Sequence, residues 1–335
     1  FENGFDFGED GNVLIQNTFV IIFVIFAFQF LGSSLESLFY SRDMFYRRNI
    51  ICVVRNIFQF ALIIGVYSLN KLNLIGLAVI VMVAACLEFI TLLLVARKIW
   101  GFFPSVKSFD LNVIKKMVRP SSGYFVISIA GLVIFRSDNF LIAAFLSVEE
   151  VAVYAISYYL LDYTMRFIWN FGELLSPRLS ACYYNNQISE LRSIFWKMNL
   201  VTVSLALIGG LAIYFLGFWF LKVWVSEANF VPLNVLRVFA FTLFFQCVTK
   251  ACAVFIKAIG KHQPIAWFSC LEAVLKIGIS IILAQNYGML GIALGTLIAH
   301  LLTTGWFIPY LSLKIILQDS MGPGPGNKSI LRSDI

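Results

Sequence analysis

Histidine, charge and catalytic spacing are what this chain has least of. Two histidines occur in 335 residues, which leaves little for acid–base chemistry near neutral pH. There is no Gly-rich phosphate loop, no HExxH and no GxSxG, so the signatures of nucleotide hydrolysis, zinc proteolysis and the serine-hydrolase elbow are missing. The six cysteines (Cys52, Cys86, Cys182, Cys247, Cys252, Cys270) form no CxxC pair and lie mostly in apolar runs. They read as small hydrophobic side chains and not as metal ligands. No catalytic residue, metal or cofactor is expected, and the chain is not expected to be an enzyme. Charged residues make up 13%, about half the share of a soluble domain. A water-exposed surface for the whole chain cannot be built from so few.

What fills the sequence is hydrocarbon: 60% of residues are hydrophobic, with a mean hydropathy of +0.87. That exceeds what one aqueous core buries, so lipid must serve as solvent. The apolar runs are continuous, unlike the alternating pattern of barrel strands. Many reach the roughly 20 residues that a helix needs to cross about 30 Å of bilayer. Candidate spans cover 13–39, 49–69, 73–96, 120–146, 150–175, 198–221, 230–256, 264–285 and 288–312. The expected fold is an all-α integral membrane protein, a polytopic bundle of about nine transmembrane helices. The loop between spans three and four holds a stretch, 110–118, read as a short interfacial helix. The Gly/Pro-rich tail is read as disordered.

Basic residues exceed acidic ones by 25 to 18, but their placement points to membrane topology and not to nucleic acid. Arg42, Arg47, Arg48, Arg97, Lys98, Lys107, Lys115, Lys116, Arg119, Arg178, Arg192, Lys197, Lys257, Lys261 and Lys314 fall on one side of the expected spans. Lys71 and Lys222 fall on the other, with Glu149, Glu150 and Glu227. The positive-inside rule makes the tail cytoplasmic and places Phe1 outside. An internal repeat is also expected: residues 38–78 align with 254–293, each reading helix end, basic turn, helix, Asn-containing turn and an Ile/Leu-Gly opening of the next helix. Spans one to three then correspond to seven to nine. Complete symmetry would place three more helices before Phe1, twelve or more in all.

Several fragments in order resemble the polysaccharide transporter family, the flippases of O-antigen repeat units within the multidrug, oligosaccharidyl-lipid and polysaccharide exporter superfamily. They are Asp138-Asn139 in span four, "VAVYAISYYLLD" at 151–162, "ELLSPRLS" with Pro177, "FLKVWV" with Trp224, "VFIKAIGKH" with Gly260 and Lys261, and "YGMLGIALGTLIAH" with Gly288 and Gly291. The resemblance covers about 13–315 and departs from the family in lacking the first three helices. It implies two pseudo-symmetric lobes about a central cavity: 1–98 as the remainder of an N-terminal lobe, 99–119 as a cytoplasmic interlobe loop, 120–315 as a C-terminal lobe of six helices, and 316–335 as a cytoplasmic tail. It also implies a bacterial cytoplasmic (inner) membrane location, a polyprenyl-diphosphate-linked oligosaccharide and membrane lipid as partners, and a polysaccharide polymerase and chain-length proteins as further ones.

Ionisable residues at membrane depth are costly and usually face a partner or a wet cavity. Arg136, Asp138, Asp162 and Arg166 are the expected centre. At about 1.5 Å per residue from the turn near Val148, Arg136 and Asp162 sit roughly 18 and 21 Å deep on adjacent antiparallel helices, where they could pair. Arg136 and Arg166, with Lys250 and Arg55 as weaker members, are assigned to an anionic headgroup, because guanidinium forks onto phosphate. Asp138, Asp162 and Glu173 are assigned to a coupling proton or sodium ion. Asp162 and Arg166, four apart with the acid first, have the spacing of an intrahelical ion pair; Glu272 and Lys276 repeat it and are read as a self-neutralised pair. His300 is read as a packing residue and Arg55 as able to snorkel to the interface. The leading expectation is a flippase working by alternating access. The alternatives are a cation-coupled multidrug exporter of the same superfamily and a membrane-embedded polysaccharide polymerase.

Overall fold

A computed structural model of the chain describes residues 8–41, 44–69, 73–101, 110–225 and 230–318. Among these, all regular structure is helical: α1 (Gly8–Ser41), α2 (Phe45–Ser68), α3 (Leu74–Trp100), α4 (Leu111–Phe145), α5 (Val148–Tyr184), α6 (Ile188–Trp224), α7 (Leu233–Ala258), α8 (Gln263–Tyr287), α9 (Met289–Leu302) and α10 (Thr304–Gln318). Among the described residues eight segments are long and apolar enough to cross a membrane. The fifth expected span, 150–175 in α5, is not among them, being richer in charged and polar residues. The polytopic helical fold expected from the sequence is what the structure shows.

Local chemistry sets the helix ends. Ser147 caps α5, its hydroxyl accepting from the Glu150 N–H at 3.2 Å, and Glu149 and Glu150 occupy the positive end of the helix dipole. Asn73 caps α3 by accepting from Gly76 N–H at 2.7 Å. Gly288 joins α8 to α9 with φ +55° and ψ −134°, a conformation open to glycine and little else.

Contacts divide the chain into two compact units, Phe1–Asp110 and Leu111–Ile335. In the first unit α3 packs against both α1 and α2, around Leu35, Phe39 and Leu92. In the second unit, α4–α10 enclose three clusters, a small one of Ala130, Ile134 and Ala273 and two larger cores. One gathers Leu161, Met165, Ile213, Leu236 and Leu243, and the other Leu179, Leu191, Phe195, Phe255 and Ile316. The most enclosed helix is α7, with 72% of its apolar window buried, against none for α2. Phe19, Phe23, Ile57, Phe60, Phe215 and Trp267 stand largely exposed, as expected where hydrocarbon is the solvent. Within the second unit α9 packs against both α7 and α8.

Three boundaries differ from expectation. The 110–118 stretch is the opening of α4 and not a separate interfacial helix, because nothing ends the helix before its apolar part begins. The last span breaks at Thr303 (φ −125°, ψ −100°) into α9 and α10. Ile316 to Gln318, expected in the tail, complete α10. Residues 102–109 of the expected loop and 319–335 of the tail lie outside the described residues.

The closest helix contact follows from a small-xxx-small pair, Gly291 and Gly295. A Cβ on Gly295 would lie 2.8 Å from the Ser280 backbone, and one on Gly291 2.8 Å from Ala284 N. Backbone cannot yield as a flexible side chain does. Gly295→Val is therefore expected to cost about 3 kcal/mol or more by forced overpacking, read as a lowered melting temperature and loss of the monodisperse peak in detergent. A variant as stable as the parent would contradict the α8–α9 packing.

Candidate functional site

At 3.6 residues per turn, Tyr154, Tyr158, Asp162, Arg166, Trp169 and Glu173 recur every three or four positions and so form one stripe along α5. The expected centre assembles on it. Tyr158 lies within electrostatic reach of Asp138, Asp162, Arg136 and Arg166. The four residues chosen from sequence do gather; Asp162 and Arg166 pair as their spacing suggests, while Arg136 and Asp138 take other places.

Asp162 bonds to Arg166 on its own helix, Oδ2 to Nε at 3.0 Å. Arg136, exposed on α4, makes no ion pair with Asp162 among the described residues. The depth estimate placed the two side by side, yet the acid already has a guanidinium one turn away. Asp138 turns inward, 4% exposed, and forms an ion pair with Lys276 of α8. Its Oδ2 also accepts from the Tyr154 hydroxyl at 2.9 Å. The Lys276 ammonium, fully buried, donates in addition to the Ser137 hydroxyl. Tyr154 and Tyr158 stack at 6.1 Å and both meet the Phe239 edge. The cavity beside them, lined by Arg136, Asp138, Asn139, Tyr154, Tyr158 and Tyr159 among others, holds about 20 Å³, room for about one water. Asp138 is thus sealed into the unit, contrary to the expectation that it borders a wet passage. Arg136 and Arg166 remain accessible, the latter with 56% of its side chain exposed.

Glu272 and Lys276 do not neutralise each other. Glu272 receives His300 Nδ1 at 3.0 Å and the Thr304 hydroxyl, while Lys276 engages Asp138. Sequence spacing put them on one helix face, but α8 lies between α4 and α9, and each charge finds a partner on a different neighbour. His300 is hydrogen-bonded through both ring nitrogens, with Nε2 3.1 Å from the Thr249 hydroxyl. Farther along the α5 stripe, Glu173 bonds to Lys250 of α7 at 2.9 Å, and the ammonium lies 4.9 Å over the Trp169 ring. Here a residue assigned to substrate and one assigned to a coupling ion hold each other.

In the first unit Arg55 does not snorkel away. It approaches Glu88 of α3 at 3.6 Å, and Arg48 meets Glu36 at 3.1 Å. With Gln29, Gly32 and neighbouring apolar groups, these four line a cavity of about 180 Å³. Their charges balance, two against two. Among the described residues no group of three or more His, Cys, Asp or Glu is placed to hold a metal.

No family model matches the chain. A Yersinia pseudotuberculosis protein named provisionally as an O-antigen export protein is 23% identical over 202 residues, 58% of this chain and 45% of that protein. An outward-facing multidrug resistance MATE family transporter of the MOP superfamily matches in structure with a TM-score of 0.64 at 14% identity, over 82% of this chain and 63% of its own. This is the fold of the MOP-superfamily transporters. A variant of a Vibrio cholerae MATE transporter gives a TM-score of 0.65, also at 14% identity, over 90% of this chain and 70% of its own. The O-antigen relative bears out the resemblance to the polysaccharide branch read from the sequence. The chain spans less than half the length of that relative.

Sequence reasoning did not foresee Tyr154, Ser137 or Lys276 as partners of Asp138. The α5 stripe was a usable signal for Tyr154, but nothing local announces the α4–α8 contact. Removing one member of a buried pair strands a charge, at about 3–5 kcal/mol. Asp138→Asn and Lys276→Met are each expected to lower the melting temperature sharply, and the double variant to recover most of the loss. Additive losses would show that the two side chains do not pair.

Proposed function

We propose that this chain is part of a flippase that moves a polyprenyl-diphosphate-linked oligosaccharide, an O-antigen or similar repeat unit, across the bacterial cytoplasmic membrane by alternating access. The carrying observation is a difference in accessibility within one cluster. Arg136 and Arg166 stay accessible around Tyr158, whereas Asp138 is withdrawn and held by Lys276. Arg136, with no ion pair among the described residues, lacks the anion that Arg166 has in Asp162, and a diphosphate offers paired oxygens matched to its fork. Tyr158 and Tyr159 give flanking aromatic surface. The O-antigen export relative supports the same cargo.

In this reading α1–α3 are the remainder of one lobe and α4–α10 the other, with basic loops cytoplasmic. An inside-negative potential aids outward movement of an anion, by about 2.3 kcal/mol per charge per 100 mV. A diphosphate with two charges gains roughly twice that, so ion coupling assists transport without being its sole driving force. Lys250 and Arg55, each already paired with a glutamate, serve as reserve cations that a stronger anion draws out. A polymerase and chain-length proteins would take over the delivered unit.

A second reading, a multidrug-type exporter, is favoured by the MATE structural neighbours. It wants a cavity dominated by acids, and around Tyr158 the accessible charges are Arg136 and Arg166; Glu173, also exposed, lies farther along α5 and is paired with Lys250. A polymerase is disfavoured because α4 and α5 are joined only by Leu146 and Ser147, which leaves no room there for an extramembrane catalytic domain.

The full-length protein expressed in a strain deleted for its gene tests the proposal. Deletion is expected to leave lipid-linked repeat units on the cytoplasmic face, and Arg136→Ala or Arg166→Ala to fail to restore surface polysaccharide, cutting it by about tenfold or more, which equals about 1.4 kcal/mol of lost binding. Wild-type surface polysaccharide with both arginines replaced removes the site. Altered drug sensitivity with normal polysaccharide supports the exporter instead.

A further inference from the structure

A second buried polar centre lies outside the arginine cluster, where α7 and α8 meet the break between α9 and α10. Glu272 is 3% exposed, His300 2%, Thr304 3% and Thr249 5%. Glu272 Oε1 meets His300 Nδ1 at 3.0 Å, and Oε2 accepts the Thr304 hydroxyl. His300 Nε2 meets the Thr249 hydroxyl at 3.1 Å. The helix is interrupted at this imidazole: Thr303 leaves helical geometry, its N–H bonding back to His300 O. Gly305 opens α10 so close that a Cβ there would lie 2.7 Å from the same carbonyl. A continuous helix would need none of this. Interrupted helices beside buried ionisable groups are the usual construction of ion sites in transporters.

The geometry points to the Glu272–His300 pair as a binding site for one exchangeable proton, linked through α8 to the Asp138–Lys276 pair. The inference rests on the proposed transport cycle and adds an ion site to it. Two states balance. Loaded, the pair holds one extra proton, either as carboxylate with imidazolium or as carboxylic acid with imidazole, and is neutral overall. Unloaded, the proton has left to water and a carboxylate faces neutral imidazole, with net charge −1. No other bond forms or breaks. A neutral pair suits a dry interior, so the closed, sealed arrangement is the loaded one.

Lys276 reads the difference. It stands four residues after Glu272, the spacing and order at which an acid and an amine attract along a helix. In the structure its ammonium is committed to Asp138 and Ser137 across the α4 contact. Loss of the proton turns Glu272 into a competing anion one turn away, and the draw on Lys276 loosens its hold on Asp138. Asp138 lines the small cavity that also carries Arg136, so proton release at the α9–α10 break is felt at the arginine cluster.

The other charged groups on the packed helices do not supply this function. On α7, Lys250 is held by Glu173, and Lys257 lies two turns beyond Thr249. Arg237 of α7, Lys314 of α10 and Arg136 of α4 are exposed, and α9 carries no ionisable side chain but His300.

The test is amide hydrogen exchange of the full-length protein in nanodiscs of bacterial phospholipid, with no cargo, across pH 5.5 to 8.5 and corrected for intrinsic rates. Protection of peptides over 297–307 and 134–142 is expected to fall together about tenfold as pH rises in the wild type. In Glu272→Gln, locked in the neutral form, the change should be under about twofold. If Glu272→Gln does not fold, Thr249→Val, which removes one contact to His300, is expected to shift the midpoint by about half a pH unit or more. A folded Glu272→Gln with the wild-type profile, or an unshifted Thr249→Val, overturns the proton site. Because no cargo is used, failure here leaves the flippase reading standing, and failure of the polysaccharide assay leaves this site standing.

Discussion

A charge cannot be left alone in hydrocarbon, and in this protein the ion pair between Asp138 and Lys276 is where that constraint shapes most of the second unit. The lysine is fully buried and its partner nearly so, so each would be strongly destabilising without the other. Their contact fixes α4 against α8. It also anchors Tyr154, whose hydroxyl completes the carboxylate and whose ring packs on Tyr158 and Phe239. The aromatic layer that follows sets the floor of the small cavity beside Arg136. Close approach of α8 to α9 at Gly291 and Gly295 then holds Glu272 against His300.

The same constraint explains the division of labour among charges. Asp138, Lys276, Glu272 and His300 find partners across helices and withdraw from the surface, whereas Glu173, paired with Lys250 across helices, stays exposed. Around Tyr158 arginine, always charged and able to spread its hydrogen bonds over a planar fork, is what remains accessible, at Arg136 and Arg166. Asp162 lies between these behaviours, buried yet paired to an exposed guanidinium on its own helix. The balanced cavity of the first unit, with Arg48 and Arg55 set against Glu36 and Glu88, solves the same problem with no residue as deeply enclosed.

Breaks in regular structure fall where polar chemistry requires them. Among the described residues, the apolar span 289–318 is interrupted at Thr303, one turn after His300. The glycine-only conformation at Gly288 lets α9 turn directly back along α8, and so brings residue 300 to the level of residue 272.

Composition and hydropathy alone determined that the chain is a helical membrane protein, roughly where its spans lie, and which ionisable residues sit at depth. A span length depends on local hydropathy and a helix face on a period of 3.6, both of which a linear sequence carries. The α5 stripe and the gathering of Arg136, Asp138, Asp162 and Arg166 were legible for that reason. Which charge holds which was decided by tertiary packing. Glu272 and Lys276 look like partners along the chain, but α8 is flanked by α4 and α9, and each side chain turns to the helix it faces. An i,i+4 rule scores the attraction between two groups and says nothing of a third group brought in from more than a hundred residues away.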